Sequence, residues 1–114
     1  MLSILLLAAV QAAPAPSACL DQNSTAAMVQ CLNRETKAAD VRLNAAYREA
    51  RARVPTRQST ALQVAQRAWL AFRDANCRAY AAGEGTITRV ETAQCTRDLT
   101  VERAEELENF RKPV

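Results

Sequence analysis

From Met28 onward, apolar positions recur every three or four residues: Met28, Leu32, Ala39, Leu43, Ala46, Tyr47, Ala50 and Val54. That spacing puts them on one face of an α-helix. Pro55 and Thr56 interrupt it, so the pattern predicts one long first helix that begins near Asp21 to Ser24, with Ser24 or Thr25 as N-cap. A second stripe of Leu62, Ala65, Trp69, Phe72, Asn76 and Tyr80 predicts a helix from near Ser59. It stops at Gly83-Glu84-Gly85, where the only two glycines of the chain make a turn. Thr88 followed by Glu91 reads as a capping box that opens a third helix. Its stripe, Cys95, Leu99, Leu107 and Phe110, is the least regular of the three. No segment alternates with a period of two, and no internal repeat is present. The expected fold is all-α: a small three-helix antiparallel bundle with one long first helix.

The stretch before the first helix changes the picture. "MLSILLLAAVQAAPAPSAC" opens with an uncharged apolar run, Leu2 to Val10, and passes into an Ala/Pro segment. The run has the length of a signal-peptide core and is too short to span a bilayer. Val10-Gln11-Ala12 supplies small residues for cleavage after Ala12, although no basic residue precedes the run. The expected layout is a signal peptide and linker over 1–18 and a helical domain over 19–112. Such a protein is exported, to the periplasm or the extracellular space, and has no membrane span.

Export favours disulfides, and the chain has four cysteines, Cys19, Cys31, Cys77 and Cys95, none in CxxC spacing. Four cysteines allow three pairings. Cys77 and Cys95 lie at similar distances on either side of the Gly83–Thr86 turn, so an antiparallel hairpin brings them to one height. Cys19 precedes the first helix and Cys31 lies about two turns inside it, within reach of a segment that folds back. This local pairing is the one expected, each bridge stabilising by about 3 kcal/mol in the loop-entropy description. The competing use of Cys19 is as the acylated residue of a lipoprotein, which Pro16 disfavours.

Composition then removes whole classes of function. There is no histidine, which excludes Ser–His and Cys–His catalysis and most transition-metal sites. Asp40, Asp74 and Glu84 are carboxylates without a nucleophile or ligand cluster beside them, so neither an enzyme nor a metal or other cofactor is expected. The net charge of +3 is spread along the chain with acids interleaved, unlike the concentrated basic patch of a nucleic-acid binder.

Polar residues within the second helix carry the remaining information. In "AQRAWLAFRDANC", Ala65 to Cys77, helical projection sends Arg67 and Asp74 to solvent. Trp69 and Phe72 are expected in the core with Leu43. Gln66, Arg73 and Asn76 border the packed face and need partners there. Asp40, Asn44 and Tyr47 flank the first helix's stripe in the same way, so a structural polar network of Asp40, Asn44, Tyr47, Gln66 and Arg73 is expected, built on an Asp40–Arg73 ion pair. Trp69 and Arg73, four apart, are placed to stack.

"ADVRLNAAYREA" (Ala39 to Ala50), "AQRAWLAFRDANC" and "CTRDLTVERAEEL" (Cys95 to Leu107), with the four cysteines, resemble the lysozyme inhibitor LprI-like family of small exported bacterial proteins. The similarity runs from about Cys19 to Phe110. It implies a protein that inhibits lysozyme by protein–protein binding. The alternative is a non-enzymatic envelope protein that binds another periplasmic protein or a cell-wall component. Lysozyme works with paired carboxylates in a cleft, so an inhibitor needs a rigid protruding element carrying hydrogen-bond donors. The expected partner-binding element is the turn Gly83, Glu84, Gly85 and Thr86 with Arg89. Glu102, Glu105, Glu106 and Glu108 offer a second contact face, toward the basic surface of animal lysozymes, for which a net positive chain has no long-range attraction.

Overall fold

A computed structural model describes residues 17–112. Three helices make up most of it: α1 (Thr25–Arg53), α2 (Thr56–Ala81) and α3 (Ile87–Asn109), preceded by a short 3-10 turn over Ala18–Asp21. The Ser24 hydroxyl caps α1 by accepting from the Ala27 amide, as its position predicts. Pro55 ends the first helix and serves as N-cap of the next, so α2 resumes at Thr56, a turn earlier than the apolar stripe suggests. A proline costs nothing at a helix start because its missing N–H would have no intrahelical partner.

Cross-helix pairs fix the directions. Glu35 meets Arg97, Arg42 meets Glu105 and Glu108, and Arg53 donates to the Phe110 carbonyl, so α1 and α3 run parallel. Arg51 donates to Ser59, and Asp40 meets Arg73, so α2 runs antiparallel to α1. The bundle is therefore up–down–up. The start of α1, the end of α2 and the start of α3 share one end of the molecule.

That end carries both disulfides, Cys19–Cys31 and Cys77–Cys95. They have the local pairing expected from the hairpin geometry. Cys19 is fully buried and bonded to Cys31, so its sulfur is not free to carry a lipid. Ser17 belongs to the folded unit as well. Its hydroxyl donates to the Glu35 carboxylate at 2.9 Å, and accepts from the Cys19 amide. The same carboxylate lies 2.9 Å from Arg97 Nε, an ion pair that links the N-terminal segment, α1 and α3. Of the leader and linker expected over 1–18, residues 1–16, the cleavage site among them, lie outside the described residues.

The apolar core is split. One cluster gathers Leu43, Ala46, Ala50, Leu62, Ala104 and Leu107, with Tyr47, Trp69 and Phe110 packed against it. The other gathers Cys19, Leu32, Val90 and Ala93 at the disulfide end. α2 gives Leu62 to the first cluster and none of the second. α3 packs on both neighbours, which explains why its apolar residues follow no single stripe. Along it Thr92, Thr96 and Thr100 each donate their hydroxyl to the carbonyl four residues back. Each hydroxyl is thus satisfied within the helix, and that of Thr100 also accepts from Arg73 of α2.

The inward face of α2 differs from expectation. The buried line is Leu62, Gln66 and Cys77, with Trp69 and Arg73 partly buried between them. Phe72, expected in the core, is 55% exposed, and Asn76 and Tyr80 are exposed too. The reason is the anchoring of α2 on α3: the Cys77 bridge and a Gln66 contact turn the helix away from its aromatic edge. Alanines, which fill the rest of α2, bury too little area to oppose that rotation.

Candidate functional site

Between the two apolar clusters lies a polar belt. Arg73 Nη1 lies 3.5 Å from Asp40 Oδ1 on α1 and donates to Thr100 Oγ1 on α3 at 3.3 Å, while its Nε donates to Asp74. Arg73 is mostly buried, but the Asp40 side chain is 46% exposed, so the pair sits at a rim rather than in the interior. Gln66 is buried and uses its carbonyl to accept from Arg103 Nε. Arg103 is a partner the apolar pattern did not reveal. The Arg73 and Arg103 guanidinium carbons lie 5.4 and 5.9 Å from the Trp69 ring centroid, so two cations share one indole.

Asn44 and Tyr47 do not join this network. Asn44 is exposed, and Tyr47 packs on the apolar cluster with Arg51 5.6 Å from its ring centroid. With Asp40, Gln63, Leu70 and Arg73 they line an open groove of about 400 Å³ between α1 and α2. The contacts of the belt run from α2 to both α1 and α3. It gathers no nucleophile with a base.

The α2–α3 hairpin tip is built differently. Ala82 and Gly83 close α2 through bonds to the Arg78 and Tyr80 carbonyls. Gly85 has φ +82°, a conformation that side chains resist, and a Cβ on Gly83 would meet Thr88 Cγ2 at 3.0 Å. The tight return thus requires glycine at 85 and favours it at 83. The expected capping box is not made. α3 starts at Ile87, Thr86 occupies the N-cap without a side-chain bond, and the Thr88 hydroxyl donates to the Gly85 carbonyl instead. The start of α3 thus keeps its positive dipole end free of an acidic cap.

Around it Glu84, Thr86, Ile87 and Arg89 are all exposed. Grooves of about 390 and 420 Å³ flank the tip, one beside Tyr80 and Glu91, the other beside Asn33 and Arg89. Below Trp69, α2 gives no large apolar side chain to the core, and the Cys77–Cys95 bridge holds this half of the hairpin to α3.

The acidic end of α3 is less available. Glu105 and Glu108 lie against Arg42, and Glu106 accepts from Arg103 at 2.7 Å. The Arg42 hydrogen bond holds the Glu108 carboxyl below its usual pKa. Three of the four glutamates expected as a contact face thus have an arginine of the same chain beside them, two of them sharing Arg42.

No helix among the described residues is long and apolar enough to cross a membrane. No curated protein and no solved structure matches the chain. The family model described as "Lysozyme inhibitor LprI" matches residues 17–107, from the buried Ser17 to the core residue Leu107. Since the match takes in both disulfides, the polar belt and the hairpin tip, the chain belongs to the LprI family of lysozyme inhibitors.

Proposed function

We propose that this protein is exported and inhibits lysozyme by seating the α2–α3 tip in the enzyme's cleft. The observation that carries the reading is the stapled, exposed turn, Gly83 to Arg89, at the uncapped start of α3. A lysozyme cleft holds two carboxylates. The Arg89 guanidinium, the Thr86 hydroxyl and the positive end of α3 are donors of the sign and size such a cleft receives. The disulfide supplies the rigidity, since a pre-ordered turn loses less entropy on binding. Ile87 and Tyr80 add exposed apolar surface beside the donors. Oxidised cysteines and the apolar leader support export. The reading assigns the protein no catalysis and no cofactor.

A turbidity-clearing assay with c-type and g-type lysozymes, at two salt concentrations, tests it. Saturable inhibition of one class is expected, reduced by Arg89→Ala and lost when Cys77–Cys95 is removed. Inhibition that survives both changes overturns the assignment to the tip. No inhibition of any class leaves the fold in place and turns the search to another envelope partner.

A further inference from the structure

α1 packs closely along α3 but only loosely on α2, and the open groove between α1 and α2 follows from that difference. From Gln63 to Arg73 it runs for about 15 Å, at about 1.5 Å of helix rise per residue. Its volume of about 400 Å³ is that of a small-ligand site.

Gln66 lines this groove and is only 6% exposed. Arg103 Nε can only donate, so the Gln66 carbonyl oxygen is the atom that faces α3. That contact fixes which way the amide lies and leaves Nε2 for the groove. Nε2 carries two donor hydrogens, yet it makes no hydrogen bond among the described residues and is not sealed from solvent. A polar side chain so deeply placed ordinarily has every strong donor engaged. Asn44 and Gln63 bring two more side-chain amides without partners among the described residues. The charges in the lining are Asp40, Arg67 and Arg73. Asp40 already faces Arg73, whereas Arg67 is exposed and makes no ion pair among the described residues, so the unmatched charge is positive.

We propose that the α1–α2 groove binds a short acidic saccharide, its carboxylate on Arg67 and its hydroxyls on the amides of Asn44, Gln63 and Gln66. A sugar hydroxyl both donates and accepts, as a carboxamide does, so a row of amides answers a row of hydroxyls. A bound peptide would need a free strand edge or pockets for its side chains. The walls here are helices, whose backbone groups are paired within themselves, and Leu43 is buried while Leu70 is 38% exposed, so no deep apolar pocket opens. The groove shares no residue with the tip, and the proposal does not rest on lysozyme inhibition.

An NMR titration of the oxidised protein with trigalacturonate, followed on the side-chain amide signals of Asn44, Gln63 and Gln66, tests the proposal. Saturable shifts of these signals are expected. The methyl ester of the same sugar, which lacks the charge, binds at least tenfold more weakly. Arg67→Ala, which removes an exposed side chain and so leaves the fold alone, weakens binding by a similar factor. Gln66→Glu keeps the acceptor that Arg103 uses but removes the donor, and it too weakens binding. Arg57→Ala, at the start of α2 and outside the groove, binds as the parent does. No saturable shift at up to about 20 mM sugar overturns the proposal, as does equal binding of the ester. So does acetyl-trialanine binding as tightly as the sugar, or binding that Arg67→Ala leaves intact.

Discussion

Arg103 Nε donates to Gln66 Oε1 at 2.9 Å across the α2–α3 interface, with both residues more than nine-tenths buried. Replacing Gln66 with leucine leaves that donor without its acceptor in a place water does not easily reach. The expected cost is about 1–3 kcal/mol, read as a lower midpoint in urea. Gln66→Glu keeps an acceptor and adds a charge opposite the guanidinium, so it should lose less. Equal losses for the two variants would show that the contact carries no stability.

Arg73→Ala is a different case, because its acidic partners reach solvent. The Asp40 and Asp74 side chains are 46% and 57% exposed, and exposed pairs are worth at most about 1 kcal/mol. Asp40→Ala should therefore be nearly silent. Arg73→Ala should cost about 1–2 kcal/mol, chiefly through the lost stack on Trp69 and the lost stem packing. A thermal melt of the two variants side by side distinguishes them.

Phe72 and Leu43 make a matched contrast in burial. Leu43→Ala opens a cavity in the larger cluster and should cost about 2–5 kcal/mol. Phe72→Ser should stay within about 0.5 kcal/mol of the parent at low protein concentration. A large loss for Phe72→Ser would mean that the ring is packed inside the monomer.

Acid should weaken the closure of α1 against α3. The Glu108 pKa is depressed by its hydrogen bond with Arg42, then by charge attraction. A depressed carboxyl contributes stability that is complete above its unfolded pKa and is lost as pH falls through the folded value. The window thus lies at and below about pH 4.5. Because the pair is largely exposed, its contribution is screened and is at most about 1 kcal/mol. Glu108→Gln should flatten the acid side of the stability–pH curve slightly, and 0.5 M salt (on the order of a 4–5 Å screening length) should do much the same.

The two bridges should differ in what they protect. Removing either pair by serine substitution should cost about 3 kcal/mol. Loss of Cys77–Cys95 should reduce inhibition the more, since it joins the two helices that carry the tip, whereas Cys19–Cys31 ties down the chain ahead of α1.

Periodicity made the three helices legible, because long amphipathic stretches broken at Pro55 and at the two glycines admit little else. The disulfide pairing followed from heights along a hairpin. The rotation of α2 did not, because its alanines point nowhere in energetic terms and the aromatic residues outvoted Gln66 and Cys77. Arg103 was equally hidden: an arginine in a run of glutamates reads as surface until a buried amide is found opposite it. The Ser17–Glu35–Arg97 link joins residues whose separations carry no periodic signal. At the tip the glycines were readable, but the capping pattern misled, since Thr88 is already inside the helix it was expected to start.

Both covalent bridges sit at one end of the bundle, and the Pro55 turn and Phe110 sit at the other with none. Opening of the molecule is therefore directional. The unbridged end frays first, and amide hydrogens there should exchange at lower free energies than those near Cys95. Heat or mild denaturant would then loosen the far end while the turn stays formed, so that the surface offered to a partner outlasts the integrity of the rest.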